Sequence, residues 1–244
     1  MTWIQAVYQP TTLFSLRPSW ATSSGGKSLL LPSPYALKMA VLDAAIRTSG
    51  EIKAEKAWLW IRDMDIGIQL PSQLVVTNLF AKILRLRRNP AEPGSADFGP
   101  FQKTIAYREY VYLPEPITLA FDVADAQTAQ LSDWLAQINY LGKRGGFMQL
   151  LAPPNPLADR TDFTLLTASM SSFPVHGLVQ QLDDCDPKMK FVEANIYESK
   201  KPKRVVRHIV LPYQLKRSSR AYSLYEYIGS SAWFKSQQTV LNTL

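Results

Sequence analysis

The chain has 244 residues, 46% of them hydrophobic and 19% charged, enough for one large domain or two small ones with a sizeable core. Its net charge is +7, and residues 187–244 alone carry 11 Lys/Arg against 3 Asp/Glu, so an anionic partner is indicated, nucleic acid foremost. One cysteine and two histidines exclude an internal disulfide and leave too few ligands for a cysteine/histidine zinc site, while no run of about 18 apolar residues offers a membrane span.

The opening "MTWIQAVYQP" has neither a basic nor an apolar leader region, so no secretory signal is expected and a reducing cytoplasm fits best. Residues 3–16 read as an extended segment broken at Pro10, followed by the polar loop "RPSWATSSGGKS". Ser33-Pro34 predicts a helix start, because serine caps free amides and proline at the first helical position loses no hydrogen bond. Leu37, Ala40, Val41 and Ala44 then share one helical face, and Gly50 ends the helix. Residues 57–70, "AWLWIRDMDIGIQL", place Trp58, Trp60, Met64, Ile66, Ile68 and Leu70 on one parity, which predicts a strand.

Between 71 and 116 lies an insertion with a Pro/Gly-rich tip, "NPAEPGSADFGP". Its first arm fits either a helix or a strand; the clearer alternation of the second, "FQKTIAYREYVYL", favours a projecting β-hairpin. Residues 117–123 alternate, with Ile117, Leu119, Phe121 and Val123 on one side. From Asp125 the period becomes helical, with Leu131, Trp134, Leu135, Ile138 and Leu141 as the stripe and Gly142 as a left-handed cap. "FMQLL" predicts a further strand. Without the insertion this is βαββαβ, an α+β, ferredoxin-like (RRM-like) palm. The expected division is a palm over 1–152, with its thumb at about 71–116, and a smaller, basic, β-rich part over 153–244. In that part short strands are expected at 163–168, 175–181, 191–197 and 204–211, and residues 229–244 as a tail.

Each motif also has a plainer reading. "ATSSGGKS" has Ala21 where a phosphate-binding loop requires glycine, and prolines follow too soon for the helix such a loop opens, so nucleotide hydrolysis is not expected, while Lys27 stays a phosphate-contact candidate with a solvated loop lysine as the alternative. "KRGGFMQL" resembles an RNA-recognition signature but lacks its aromatic at Gly146 and follows the wrong element. The turn still concentrates Gly142, Lys143, Arg144, Gly145 and Gly146, more glycine and charge than a helix cap needs, and this suits a sugar-phosphate backbone. His208, in "RVVRHIV" beside Arg207 and near Tyr213, is the one candidate proton carrier for cleavage of RNA by its own 2′-hydroxyl, with a structural role on a strand as the alternative. "LDDCDP" reads as an exposed turn. No metal site and no cofactor are expected.

Taken together, "LPSPYALKMAVLDAAIR", "TIAYREYVYL" and "INYLGKRGGF" resemble the CRISPR-associated RAMP superfamily, in particular the Cascade subunit family that caps the 5′ end of the guide RNA, the fifth Cas family. The resemblance spans roughly residues 3–150. Ala40 and Ala44 stand in a block where that family often carries a glycine. The resemblance implies a non-catalytic subunit of a type I CRISPR effector, in defence or in a transposon-associated complex. It would grip the 5′ handle of the crRNA and contact backbone and large subunits, with target DNA as a further candidate partner and no membrane. A guide-processing endoribonuclease and a scaffold that binds nucleic acid non-specifically are the alternatives. The expected RNA contacts are Lys27, Ser33 and Lys38; Lys82, Arg85, Arg87, Arg88, Lys103, Tyr107 and Arg108 on the hairpin; residues 142–146; and Lys203, Arg204 and Arg207. No catalytic residue is expected in the majority reading.

Overall fold

In a computed structural model, described here for residues 1–21, 26–89, 91–96, 98–142, 145–159, 161–168, 176–195 and 202–228, the chain is a mixed α+β protein built on antiparallel sheets. Strand β1 (Thr2–Pro10) is followed by helices α1 (Pro34–Ser49) and α2 (Glu51–Asp63), then β2 (Ile66–Gln69). The hairpin β3 (Gln73–Leu86) and β4 (Phe101–Tyr112) precedes β5 (Ile117–Val123), α3 (Thr128–Leu135) and β6 (Met148–Leu150). Next come β7 (Asn155–Pro156), β8 (Phe163–Leu165), β9 (Leu178–Cys185), β10 (Arg204–Leu211), β11 (Tyr213–Ser218) and β12 (Tyr222–Tyr227).

The central sheet has the order β6-β1-β5-β2-β8, with β7 also against β1, and each of these pairings is antiparallel. Alternation explains why one face is buried: Ile4, Ala6 and Tyr8 of β1, Ile66 and Ile68 of β2, and Ile117, Leu119, Phe121 and Val123 of β5 all lie in the core. Buried aromatics close their polar ends. Tyr8 Oη donates to Leu135 O at 2.7 Å, Trp58 Nε1 to Met189 O at 3.0 Å, and Trp134 Nε1 to Ser49 Oγ at 3.0 Å.

Helix α1 starts as its sequence predicts, with Ser33 Oγ accepting from Ala36 N at 3.2 Å and Pro34 at the first position. Gly50, at φ 83°, ends it, but Glu51 at once begins α2. The strand expected at 57–70 is therefore corrected: its first half is helix. Ala54, Ala57, Trp58 and Ile61 are buried at helical spacing, and that pattern wins over the two-residue alternation of the tryptophans. The stripe of α3 also ends early. Ile138 and Leu141 are buried, but they lie beyond the helix, so Gly142 is not its cap.

The insertion is a long antiparallel hairpin, in register from Val75↔Tyr112 to Leu86↔Phe101. Its base is widened by β11 and β12, in the order β11-β12-β3-β4. The segment after 152 does not stand apart: β7 and β8 join the central sheet, and β12 joins the hairpin. Strands overlap the ranges expected at 163–168, 175–181 and 204–211, but Phe191–Ala194 is a 3-10 turn. The tail expected at 229–244 lies outside the described residues. No described helix is long and apolar enough to cross a membrane.

Candidate nucleic-acid interface

The glycine-rich turn closes a small hairpin. Tyr140 and Phe147 form an antiparallel bridge, Leu141 N donates to Gly146 O at 3.0 Å, and Thr12 Oγ1 donates to Gly145 O at 2.7 Å. At Gly142, φ is 75°, which favours glycine, and a Cβ would also press on the Leu16 Cδ2 methyl. Gly142 and Gly145 are exposed, whereas Gly146 is buried; Lys143 and Arg144 lie outside the described residues.

Beside this turn runs an open groove of about 710 Å³. Leu42, Met39 and Ile46 of α1 contribute an apolar wall; Arg17, Arg108, Arg204, Tyr35, Tyr140 and Gly142 are among the other lining residues, together with the carboxylates of Asp43 and Asp183. A second cavity, of about 420 Å³, continues it along the hairpin past Arg85 and shares Arg17 and Arg108. Arg17 is braced, its guanidinium donating to Ala21 O. The Arg204 guanidinium lies 3.8 Å from the Tyr35 ring centroid and 3.1 Å from Asp183 Oδ2. Burial pushes the Tyr35 phenol up despite that cation. The side chains of Arg85 and Arg108 make no ion pair or hydrogen bond among the described residues. Planar guanidiniums presented this way match phosphate oxygens in pairs.

The register of the hairpin sorts its expected contacts onto two faces, since opposed residues of an antiparallel pair point the same way. Leu79↔Arg108, Ile83↔Thr104 and Arg85↔Gln102 share the groove face. Phe80↔Tyr107, Lys82↔Ile105, Leu84↔Lys103 and Leu86↔Phe101 share the other. Lys82 and Lys103 are thus set apart from Arg85 and Arg108, beside an exposed apolar patch of Phe80, Leu84, Leu86, Phe101 and Ile105. Tyr107 and Ile105 also border the second cavity. Tyr107 Oη donates to Asn78 Oδ1 at 2.7 Å. Arg87 follows β3 and donates from Nε to Phe101 O at 3.1 Å; Arg88, next to it, is exposed.

Three expected contacts are engaged within the protein. Ser33 lines the groove but is only 6% exposed and caps α1. Lys38, only 3% exposed at its side chain, donates from Nζ to Asp184 Oδ1 at 2.7 Å, and Asp184 is wholly buried. Arg207, part-buried, donates from Nε to Asp184 Oδ2 at 2.7 Å. "LDDCDP" is accordingly no exposed turn up to Cys185: Asp183, Asp184 and Cys185 are buried at the end of β9, where the aspartates neutralise cations from α1 and β10. No group of three or more His, Cys, Asp or Glu able to hold a metal ion occurs among the described residues.

Lys27 remains exposed but is already paired, 2.5 Å from Glu109 Oε1, and that hydrogen bond is the main reason its ammonium is held above the usual lysine range. Lys203 is exposed just ahead of β10. His208 is exposed, its Nε2 3.1 Å from Gln181 Nε2, while Tyr213 is buried and its hydroxyl donates to Pro71 O at 2.6 Å. Local sequence does not single out Arg17, Tyr35 or Tyr140. Each is one polar or aromatic residue in a loop or at a helix start, and only the fold brings them to the same groove.

No family model matches the chain. It is 27% identical over 212 residues, 84% of this chain and 89% of the relative, to the CRISPR-associated protein Cas5 of Archaeoglobus fulgidus. Among solved structures, a CRISPR protein from Archaeoglobus fulgidus aligns with 94% of this chain and 93% of its own at 16% identity and a TM-score of 0.46. A chain of a CRISPR RNA-guided surveillance complex aligns with 86% of this chain and 90% of its own at 14% identity and a TM-score of 0.44. The sequence match is sustained over most of both chains, so the chain is similar to a Cas5 protein along most of its length.

Proposed function

We propose that the chain is a non-catalytic, guide-RNA-binding subunit of a type I CRISPR effector that grips the 5′ handle of the crRNA. The observation that carries this reading is the continuous groove in which Arg17, Arg85, Arg108 and Arg204 converge beside Gly142, with Arg85 and Arg108 unneutralised by any described side chain. Likeness to Cas5 supports a CRISPR effector subunit. The strand order β6-β1-β5-β2, read in βαββαβ numbering as 4-1-3-2, supports a ferredoxin-like palm with the hairpin as its thumb.

The hairpin then has two uses. Its arginine face takes the RNA backbone, and its apolar face, too large to leave bare, docks a neighbouring protein subunit of the effector. His208 serves structure, held by Gln181, and Tyr213 is committed to Pro71.

Binding of guide RNA by the full chain, measured by fluorescence anisotropy across a salt series, tests the reading. Each phosphate contact contributes about 0.7 to the slope of log affinity against log salt for a single strand. Arg108→Ala and Arg85→Ala should each lower that slope by about 0.7. Failure of the intact protein to bind guide RNA at low salt, or slopes unchanged in both variants, overturns it.

A further inference from the structure

We propose that Trp20 is a base-stacking platform for a nucleotide beyond the arginine groove, so that the bound strand continues to the turn at Pro18–Ala21. The inference rests on the RNA-binding reading above and adds a specific subsite to it. Pro18–Ala21 is a turn closed by Ala21 N donating to Pro18 O at 3.1 Å, and Arg17 clamps its outer end by donating from Nε to Ala21 O at 3.1 Å. This braced turn holds the indole of Trp20 59% exposed, with no ring or cation contact among the described residues. A large aromatic held out on a stiff turn loses little conformational freedom when a ring stacks on it.

Next to it opens a cavity of about 320 Å³ lined by Trp20, Lys27, Gln180 and Gln181. The cavity shares Leu29 with the arginine groove, so a strand leaving that groove can pass over Leu29 to reach the indole. Gln180 and Gln181 are successive residues of β9, so their side chains leave opposite faces of the strand. Gln180 Oε1 accepts from Leu30 N at 3.1 Å, which leaves its amide N–H₂ to donate. Lys27 lines the same cavity, its ammonium exposed beside its partner Glu109. An aromatic plane with an amide donor and an ammonium close by suits a stacked nucleobase and its phosphate. The lining is mixed, with Pro18, Leu29 and Val179 beside Lys27, Ser28, Gln180 and Gln181, and it lacks the contiguous apolar surface that the hairpin offers a protein partner.

The test uses the full chain and a fluorescein-labelled single-stranded RNA of about eight nucleotides, carrying 4-thiouridine for photo-crosslinking. Trp20→Ala should weaken binding by about 5- to 150-fold, the equivalent of one lost base stack, and Trp20→Phe should retain most of the affinity. Crosslinks in the wild type should map to the Trp20 peptide. Wild-type affinity in Trp20→Ala with no crosslink there overturns the subsite and leaves the groove reading standing. Weakened capture of a sibling subunit with RNA affinity intact reassigns Trp20 to a protein contact and also overturns it. Absence of any RNA binding by the wild type removes the groove reading and this one together.

Discussion

Replacing Asp184 by asparagine should be among the most damaging isosteric changes in the protein. Asp184 is fully buried and receives three hydrogen bonds: from Lys38 Nζ at 2.7 Å, from Arg207 Nε at 2.7 Å and from the Cys185 amide at 2.8 Å. Asp184→Asn removes the charge that holds the Lys38 ammonium, which at 3% exposure has no route to water. The substitution also sets an N–H₂ group either against Arg207 Nε or against both Lys38 Nζ and the Cys185 amide. Breaking a buried pair in this way costs about 3–5 kcal/mol, because a charge stays behind without its partner. At about 2–4 °C per kcal/mol for a chain of this size, the melting temperature should fall by about 6–20 °C. Lys38→Met should cost less, since Asp184 keeps Arg207 and the Cys185 amide. In urea titrations followed by tryptophan fluorescence, the double variant Lys38→Met/Asp184→Asn should be less destabilised than the sum of the two single variants, with a coupling of about 0.5–3 kcal/mol. Asp184→Asn within about 1 kcal/mol of wild type, or additivity in the cycle, would refute the account of a buried charge cluster locking α1 to the β9–β10 pair.

Two further predictions are more local. A Cβ at Gly26 would overlap Tyr107 O and lie 2.5 Å from Arg108 Cα; Gly26→Ala should therefore cost about 1–3 kcal/mol and free the loop that brings Lys27 and the Ser28 amide to Glu109, read as faster limited proteolysis there. Burial pushes the thiol of Cys185, the sole cysteine, up to about 12, so at pH 8 it should resist Ellman's reagent in the native protein and react at once in urea. Because the folded thiol keeps its proton while the unfolded one, with a pKa of about 8.5, does not, this contribution to stability is complete below pH about 8.5 and is lost as the pH climbs towards 12. Urea midpoints that rise over that alkaline range in wild type relative to Cys185→Ser would contradict the sign.

Much of the architecture could be read from local pattern. The Ser33-Pro34 cap, the alternation of 117–123 and that of the second hairpin arm depend on neighbours within one element, and each appears as its spacing suggests, whereas the first arm fitted helix or strand until paired. The misreading of 57–63 has a physical cause: Trp58 and Trp60 alternate like a strand, and only burial of Ala54, Ala57, Trp58 and Ile61 on one face distinguishes the helix. Lys38 resembles a phosphate contact because a lysine near a helix start is usually solvated, and its partner stands 146 residues away.

By itself, then, the sequence determined the α+β class, the projecting hairpin and an excess of positive charge, all properties of composition and short-range periodicity. Tertiary structure alone decided which cations are left exposed and unpaired among the described residues. Strand register divides Arg85 and Arg108 from Lys82 and Lys103, burial assigns Lys38 to Asp184, and the loop after β1 carries Arg17 into the groove. The reason is that a charge is available or spent according to what lies within a few ångströms of it, and those neighbours come from distant parts of the chain.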